Sequence, residues 1–173
     1  RRRIARGALG ETAAPAVGPL PAALMRDPSV ALLPFDTARA AALLDAAGWR
    51  TIDGDGPRRN GSRTLRFTLL VPTGSIGARR AAVIAQEQLR GVGVAMDIDA
   101  IDFAALGARL RAHRFDAALV ALDWDPSPPS ARQPWGSMAG TGDATFSGYR
   151  SAAFDTAIGA AATARAPATA RAR

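Results

Sequence analysis

Cysteine is missing from all 173 residues, and lysine is missing with it. The first absence excludes disulfides, thiol nucleophiles and thiolate metal sites together. A single histidine, His113, leaves no second imidazole for a metal centre. It stands between Arg111 and Arg114 on a basic helix end and reads as a surface residue. No apolar run approaches the roughly 18 residues that a membrane-crossing helix requires. The Arg1-Arg2-Arg3 start leads into Gly, Ala and Pro, not into the apolar stretch of a leader peptide. A Gly-rich phosphate loop and a serine elbow are also lacking. Asp53 and Asp55 alternate with glycine, but without the twelve-residue ligand spacing and closing Glu of a calcium loop, so this stretch is expected to be a turn. Neither a cofactor nor a metal is expected.

What is present in excess is arginine and alanine. All 22 basic residues are arginine, alanine fills 41 positions, and the net charge is +7. Such a charge raises the possibility of a nucleic-acid or anionic-surface binder, which needs a clustered basic face and shows a steep salt dependence. Here the arginines are scattered, with a run of three only at Arg1 to Arg3, and they read as solvated surface. The length allows one α/β domain with a core of its own.

Residues 1–34 carry little periodicity and many prolines, and are expected to form an extended connection leading into the domain that spans 35–173. Asp36 caps a helix through about Ala47, with Gly48 as its stop. Leu65 to Val71 alternates as a strand. Ser75 opens a helix to about Arg90, ended by Gly91 and Gly93, and Val94 to Ala100 is the second strand. Asp102 caps a short helix whose apolar stripe is Phe103, Leu106 and Leu110. Ala117 to Leu122 is a continuous apolar run, the pattern of a strand buried on both faces. A last helix starts at Ser151 or Ala153 with Phe154 and Ile158 on one face, and it stops without a closing element, as if the domain were truncated there.

The order β-α-β-α-β predicts an α/β fold: an open, mainly parallel sheet with helices packed on its faces. Ligands of such sheets bind beyond the carboxyl ends of the strands. That rule singles out Leu122-Asp123-Trp124-Asp125-Pro126, which follows the third strand.

Several segments, in this order, resemble one family. Phe35 to Trp49 is similar to its "yDpekAkaLLaeAGw" helix, and Asp53-Gly54-Asp55-Gly56 with Asn60-Gly61 to the turn that follows. Ala81 to Val94 is similar to "a.aiqqqLkkiGi", Phe115 to Leu119 to "FDaal", and Leu122 to Asp125 to the "gW..dpdP" loop. Phe146 to Asp155 resembles "fsGYsnpefD", and Gly7 to Pro21 fits the segment that enters this lobe. The family is the extracellular solute-binding proteins of family 5, the peptide/nickel class. The resemblance implies one lobe of a two-lobed periplasmic-binding-protein fold, the C-terminal one, with the partner lobe absent. It implies a non-catalytic function, capture of a peptide or similar small solute for an ABC importer. It further implies permease subunits as partners and a periplasmic or extracellular location, with membrane contact only through the permease or a lipid anchor outside this chain.

Peptide-binding members hold the ligand's α-amino group with an aspartate in the loop after the matching strand. The resemblance gives that role to Asp125, with Asp123 second, and places Trp124 and Trp135 as cleft-lining aromatics. A carboxylate beside an indole suits an ammonium through charge-assisted hydrogen bonds. The bland alternatives are a capped turn at Asp125 and packed anchors at Trp124 and Trp135. Tyr149 and Trp49 read as packing residues. A rival from the enzyme class would use Asp123 and Asp125 as a carboxylate pair, which predicts turnover and a raised carboxylate pKa.

Overall fold

Three helices of this protein end in the same way, and their ends set the frame of the sheet. The structure, a computed structural model, describes residues 1–11, 13–16, 18, 32–52, 54, 56–121, 135–137 and 146–163. It falls into two units, Arg1–Pro15 with Leu33–Val120, and Ala16–Leu32 with Ala121–Arg173.

The first unit begins with helix α1, Arg2–Leu9, and continues with α2, Thr37–Ala46. A small hairpin follows, β1 (Arg59–Asn60) and β2 (Arg63–Thr64), turning through Gly61 at φ 58°. Then come β3 (Arg66–Pro72), α3 (Ile76–Arg90), β4 (Ala95–Ile101), α4 (Phe103–Arg111) and β5 (Ala117–Ala118). Each of the three expected caps is made. The side chains of Asp36, Ser75 and Asp102 accept hydrogen bonds from the backbone N–H of Arg39, Ala78 and Ala105 at 2.8, 3.2 and 2.9 Å. These are donors that a helix start otherwise leaves unsatisfied.

The C-termini close with paired backbone bonds around a left-handed residue. At α2, Trp49 N–H donates to Leu44 O and Gly48 N–H to Asp45 O, with Gly48 at φ 83°. At α3 the same bonds run from Val94 to Leu89 and from Gly93 to Arg90, with Gly93 at φ 78°. At α4 they run from Arg114 to Arg109 and from His113 to Leu110, but the left-handed residue is His113, at φ 50°. It is the one non-glycine residue with positive φ among the described residues, and its Cβ makes that conformation costly.

The sheet has the order β4-β3-β5, all parallel. β3 and β4 pair over their full length, from Arg66↔Ala95 to Pro72↔Ile101. The β3-to-β4 and β4-to-β5 crossovers run in opposite directions across the sheet. Right-handed crossovers therefore put α3 and α4 on opposite faces. The contacts agree for α4: its Arg109 reaches Asp99 at 3.1 Å, on the face that carries Leu70, and Leu106 and Leu110 are buried there. Val71 and Met96 belong to the other face, and α3 buries Ala82.

Two expectations change. Residues 2–9 are not extended but helical, and α1 packs on α3. The two helices lie close at two glycines. A Cβ on Gly7 would meet Ile84 Cδ1 at 2.5 Å, and one on Gly77 would meet Leu9 Cδ2 at 3.1 Å. Periodicity within one short, Arg-rich segment could not show a helix whose apolar contacts are made through glycine. The third strand, expected from Ala117 to Leu122 and buried on both faces, pairs with β3 only at Leu69↔Ala117 and Leu70↔Ala118. Leu119 N–H still donates to Leu70 O, after which the chain leaves the ladder half-buried. The β3 edge beyond that short pairing is completed by a side chain: Asp116 Oδ2 accepts from Thr68 N–H at 2.9 Å.

The second unit contributes helix α5, Ala152–Thr163, with Ile158 and Ala161 buried. Ser151 Oγ accepts from Phe154 N–H and Asp155 Oδ1 from Ser137 N–H, which fastens the helix start to the segment at Trp135.

At the amino end of the sheet lies Arg58, 6% exposed. Its Nε donates to Val92 O at 2.8 Å, and its Nη1 to Asp45 Oδ1 at 2.7 Å and Trp49 O at 3.0 Å. Asp45 is half-exposed. The hydrogen bond from Arg58, together with the charges of Arg58 and Arg50, holds the Asp45 carboxyl below its ordinary 3.8, outweighing the desolvation that opposes it.

Three measurements follow from these contacts. Replacing Arg58 by Met strands two carbonyls and is expected to cost about 2–4 kcal/mol in urea unfolding; a cost below ~1 kcal/mol would show that water replaces the guanidinium. The Asp45 contribution is fully present above pH 3.8 and is lost as pH falls through the lower folded value. Asp45→Asn should therefore be less stable than the parent at pH 7, and the gap should close below pH 3.8. His113→Gly should gain about 0.5–1 kcal/mol by relieving the left-handed strain, net of the extra chain entropy of glycine. An unchanged or lower Tm counts against strain at that residue.

Candidate functional site: the carboxyl edge of the sheet

Neighbouring parallel strands that send their chains to opposite faces leave a crevice between the two exits, and that is where open α/β sheets bind ligands. In this protein the pair is β3 and β4. Their exits are fixed to each other, because Thr73 N–H donates to Ile101 O at 2.9 Å just past the last ladder pair. From β3 the chain turns through Thr73 and Gly74 into α3. From β4 it passes directly through Asp102 into α4. Two helix N-termini thus stand side by side at the crevice.

Their chemistry is simple. Ser75 and Asp102 are turned back onto their own helices as caps. The first residue of each helix points outward and is apolar: Ile76 is 61% exposed and Phe103 83%. Phe103 was expected on the buried stripe of α4. Leu106 and Leu110 are buried, but Phe103 is one turn too early and overhangs the end of the sheet. Leu9, also exposed, lies against α3 at Gly77. None of the three was singled out from the sequence for a site. For Ile76 and Phe103 the usable signal was their position, as first helical residues after a parallel strand.

The four residues proposed from the sequence fare differently. Asp123, Trp124 and Asp125 lie outside the described residues. Trp135 belongs to the second unit, where its ring meets Tyr149 edge-on at 6.3 Å, and Tyr149 meets Phe154 likewise at 6.2 Å. Its indole Nε1 is buried without a hydrogen-bond partner among the described residues. Tyr149 thus packs between the Trp135 segment and α5, as its type and context suggested. Trp49 closes α2, and the Arg63 guanidinium lies 5.8 Å over its ring. His113 is exposed at the end of α4. Asp53 and Asp55 lie outside the described residues, and no group of three metal-ligating side chains occurs among the described ones. No helix is long and apolar enough to cross a membrane among the described residues.

A cleft of about 670 Å³ opens at the opposite, amino-terminal end of the strands. It lies between the first turn of α2 and the last turn of α3, with Arg58 in its wall. Its polar groups are mostly engaged, Arg58 as above and Arg90 with Glu87 at 2.9 Å. The carboxyl edge is the better site on topology.

Comparison with known proteins agrees with this architecture. Residues 1–143 match the family described as bacterial extracellular solute-binding proteins, family 5 Middle. The oligopeptide-binding protein AppA of Bacillus subtilis is 26% identical over 118 residues, covering 68% of this chain and 22% of that protein. The structure of AppA from Bacillus subtilis with a nonapeptide superposes with a TM-score of 0.66 at 21% identity, over 80% of this chain and 28% of that one. A putative peptide-binding AppA from Clostridium difficile gives a TM-score of 0.79 at 18% identity, over 99% of this chain and 33% of that one. NikZ from Campylobacter jejuni, in complex with Ni(L-His), gives 0.64 at 19% identity, over 79% and 29%. The chain therefore spans about a fifth to a third of the length of the relatives it matches. With its parallel sheet, its helices on both faces and a family match over most of its length, the chain belongs to the bacterial extracellular solute-binding proteins of family 5.

Proposed function

We propose that the full-length protein is the solute-binding component of an ABC importer, and that it takes a peptide or similar small solute at the carboxyl edge of this sheet. The observation that carries the reading is the crevice between the β3 and β4 exits, in a chain whose family binds solutes. A non-catalytic role fits the family. Delivery to a membrane permease, and a periplasmic or extracellular location, follow from the same membership.

The relatives include proteins named for oligopeptides and one solved with a nickel–histidine complex. The peptide reading is taken here on Asp125, an aspartate in the segment after β5, the residue type with which peptide-binding members hold the ligand's α-amino group. In this reading Asp125 holds the ligand's ammonium group and Trp124 shields the pair from water. Asp123 and Trp135 are the further ligand-binding candidates. A charge pair screened from water is worth far more than an exposed one, which would make the free amino terminus a recognition element.

The test begins with native mass spectrometry of the full-length protein, to identify co-purified ligand. Isothermal titration then compares a peptide with its N-acetylated form. Acetylation of the peptide, or Asp125→Asn in the protein, is expected to weaken binding by about 30-fold or more. Equal affinity for the free and acetylated peptides would remove Asp125 from the site.

A further inference from the structure

The arginines that lie scattered along the sequence are gathered by the fold. Residues 1–11 carry four arginines and one glutamate, and α3 carries three arginines and one glutamate. These 26 residues hold +5 of the chain's +7, and the other 147 hold only +2. The two segments are far apart in sequence, yet α1 packs on α3. Gly7 lies at Ile84 and Leu9 at Gly77, so the two helices run antiparallel. Arg80 is one turn from both Gly77 and Ile84 on the surface of α3, and so borders the seam. Packed helices have axes about 8–10 Å apart. That is close to the screening length of about 8 Å at physiological salt, so the charges of both helices act as one field.

This positive charge is open to a partner. Arg2, Arg3 and Arg6 are exposed on α1, where Ile4 and Ala8 are half-buried. Arg79 and Arg80 are exposed on α3. Of these five, Arg6 alone makes an ion pair among the described residues, with Glu11 at 3.5 Å, and both side chains remain mostly in solvent. Apolar side chains stand between the cations. Ile76 and Val83 are 61% and 56% exposed and share the outer stripe of α3 with Arg79 and Arg80, while Leu9 lies exposed beside Gly77.

The mixture discriminates among anionic partners. A nucleic acid offers phosphate but no hydrocarbon in which Leu9, Ile76 and Val83 could be buried, and the family is extracellular. An acidic protein would need carboxylates placed to match, and arginines held by no fixed partner set no such pattern. A fluid bilayer brings anionic headgroups to each arginine and receives the apolar side chains at the headgroup boundary.

We infer that the outer surface of α1 and α3 is a docking face for an anionic phospholipid bilayer, with Arg2, Arg3, Arg6, Arg79 and Arg80 as its headgroup contacts. The apolar side of α1 is spent on α3, so the helix rests on the bilayer without leaving the fold. This face is independent of the solute that the protein carries, and it would hold the protein at the membrane between captures.

The experiment is co-sedimentation of the full-length protein, produced without covalent lipid, with phosphatidylcholine vesicles containing or lacking phosphatidylglycerol. Binding is expected only with phosphatidylglycerol, and about 0.5 M NaCl should release it. A variant with Arg2, Arg3, Arg6, Arg79 and Arg80 changed to Gln should bind about 100-fold more weakly or worse, at about fivefold per arginine. A control variant with Arg39, Arg59, Arg111, Arg114 and Arg150 changed to Gln loses the same formal charge from exposed positions elsewhere. It should bind within about fivefold of the parent. All ten side chains are exposed, so thermal melting of both variants should match the parent. Failure to bind the anionic vesicles, or a loss in the first variant less than about tenfold greater than in the control, overturns the docking face. Duplex DNA or polyglutamate bound as tightly as the vesicles, at equal concentration of anionic groups, overturns the assignment to lipid.

Discussion

A single buried guanidinium holds the amino end of this sheet together, and the geometry at the far end depends on it. Burying an arginine is costly unless its donors are met, and Arg58 is met by the turn after α3, by the last turn of α2 and by the peptide of Trp49. Its own backbone joins the same knot: Arg58 N–H donates to Gly93 O, and Leu65 N–H donates to Arg58 O. One residue further, Ala95 N–H donates to Leu65 O and the β3–β4 ladder begins. A ladder started in one register keeps it, since a slip by one residue would turn every buried side chain outward. Seven pairs later the register delivers Pro72 opposite Ile101, and with them the two helix starts that form the crevice. The pin and the site are at opposite ends of the same hydrogen-bonded strip.

Much of this was legible before any coordinates. Asp36, Ser75 and Asp102 each precede an apolar-periodic run, and each caps the helix it was expected to cap. Gly48 and Gly93 end their helices because only a residue without Cβ takes φ near +80° cheaply. β3 and β4 followed from alternation. What was illegible has a common cause: it depends on contacts between distant segments. α1 lies against α3 at Gly7 and Gly77, and neither glycine signals that alone. Phe103 fits the apolar stripe of α4 in spacing, but burial is decided by where the sheet stops, and the sheet stops first. β5 is two residues long because the chain diverges from β3 after Ala118, although the apolar run continues. The candidate site was legible only as a region. Topology pointed to the strand exits, and the sequence drew attention to the segment after β5, whose Asp123, Trp124 and Asp125 lie outside the described residues.

The family match fixes architecture more firmly than ligand. Relatives between 18% and 26% identical keep the arrangement of strands and helices, since it is specified by caps, turns and buried alternation. The groups at the strand exits are under no such constraint. A residue at the first turn of a helix, pointing away from the core, can change size or charge without disturbing the sheet behind it.

The order β4-β3-β5 leaves β4 with a neighbour on one side only among the described residues. Seven residues of open strand edge are a template on which another chain's strand could add, the first step towards aggregation. β4 carries Asp97 and Asp99 at alternate positions, held by Arg66 at 2.7 Å and Arg109 at 3.1 Å. A second β4 laid alongside would bring like charges together and would have to strip water from them. The two ion pairs are too exposed to add much stability. Charged side chains on an edge strand disfavour the addition of a further strand.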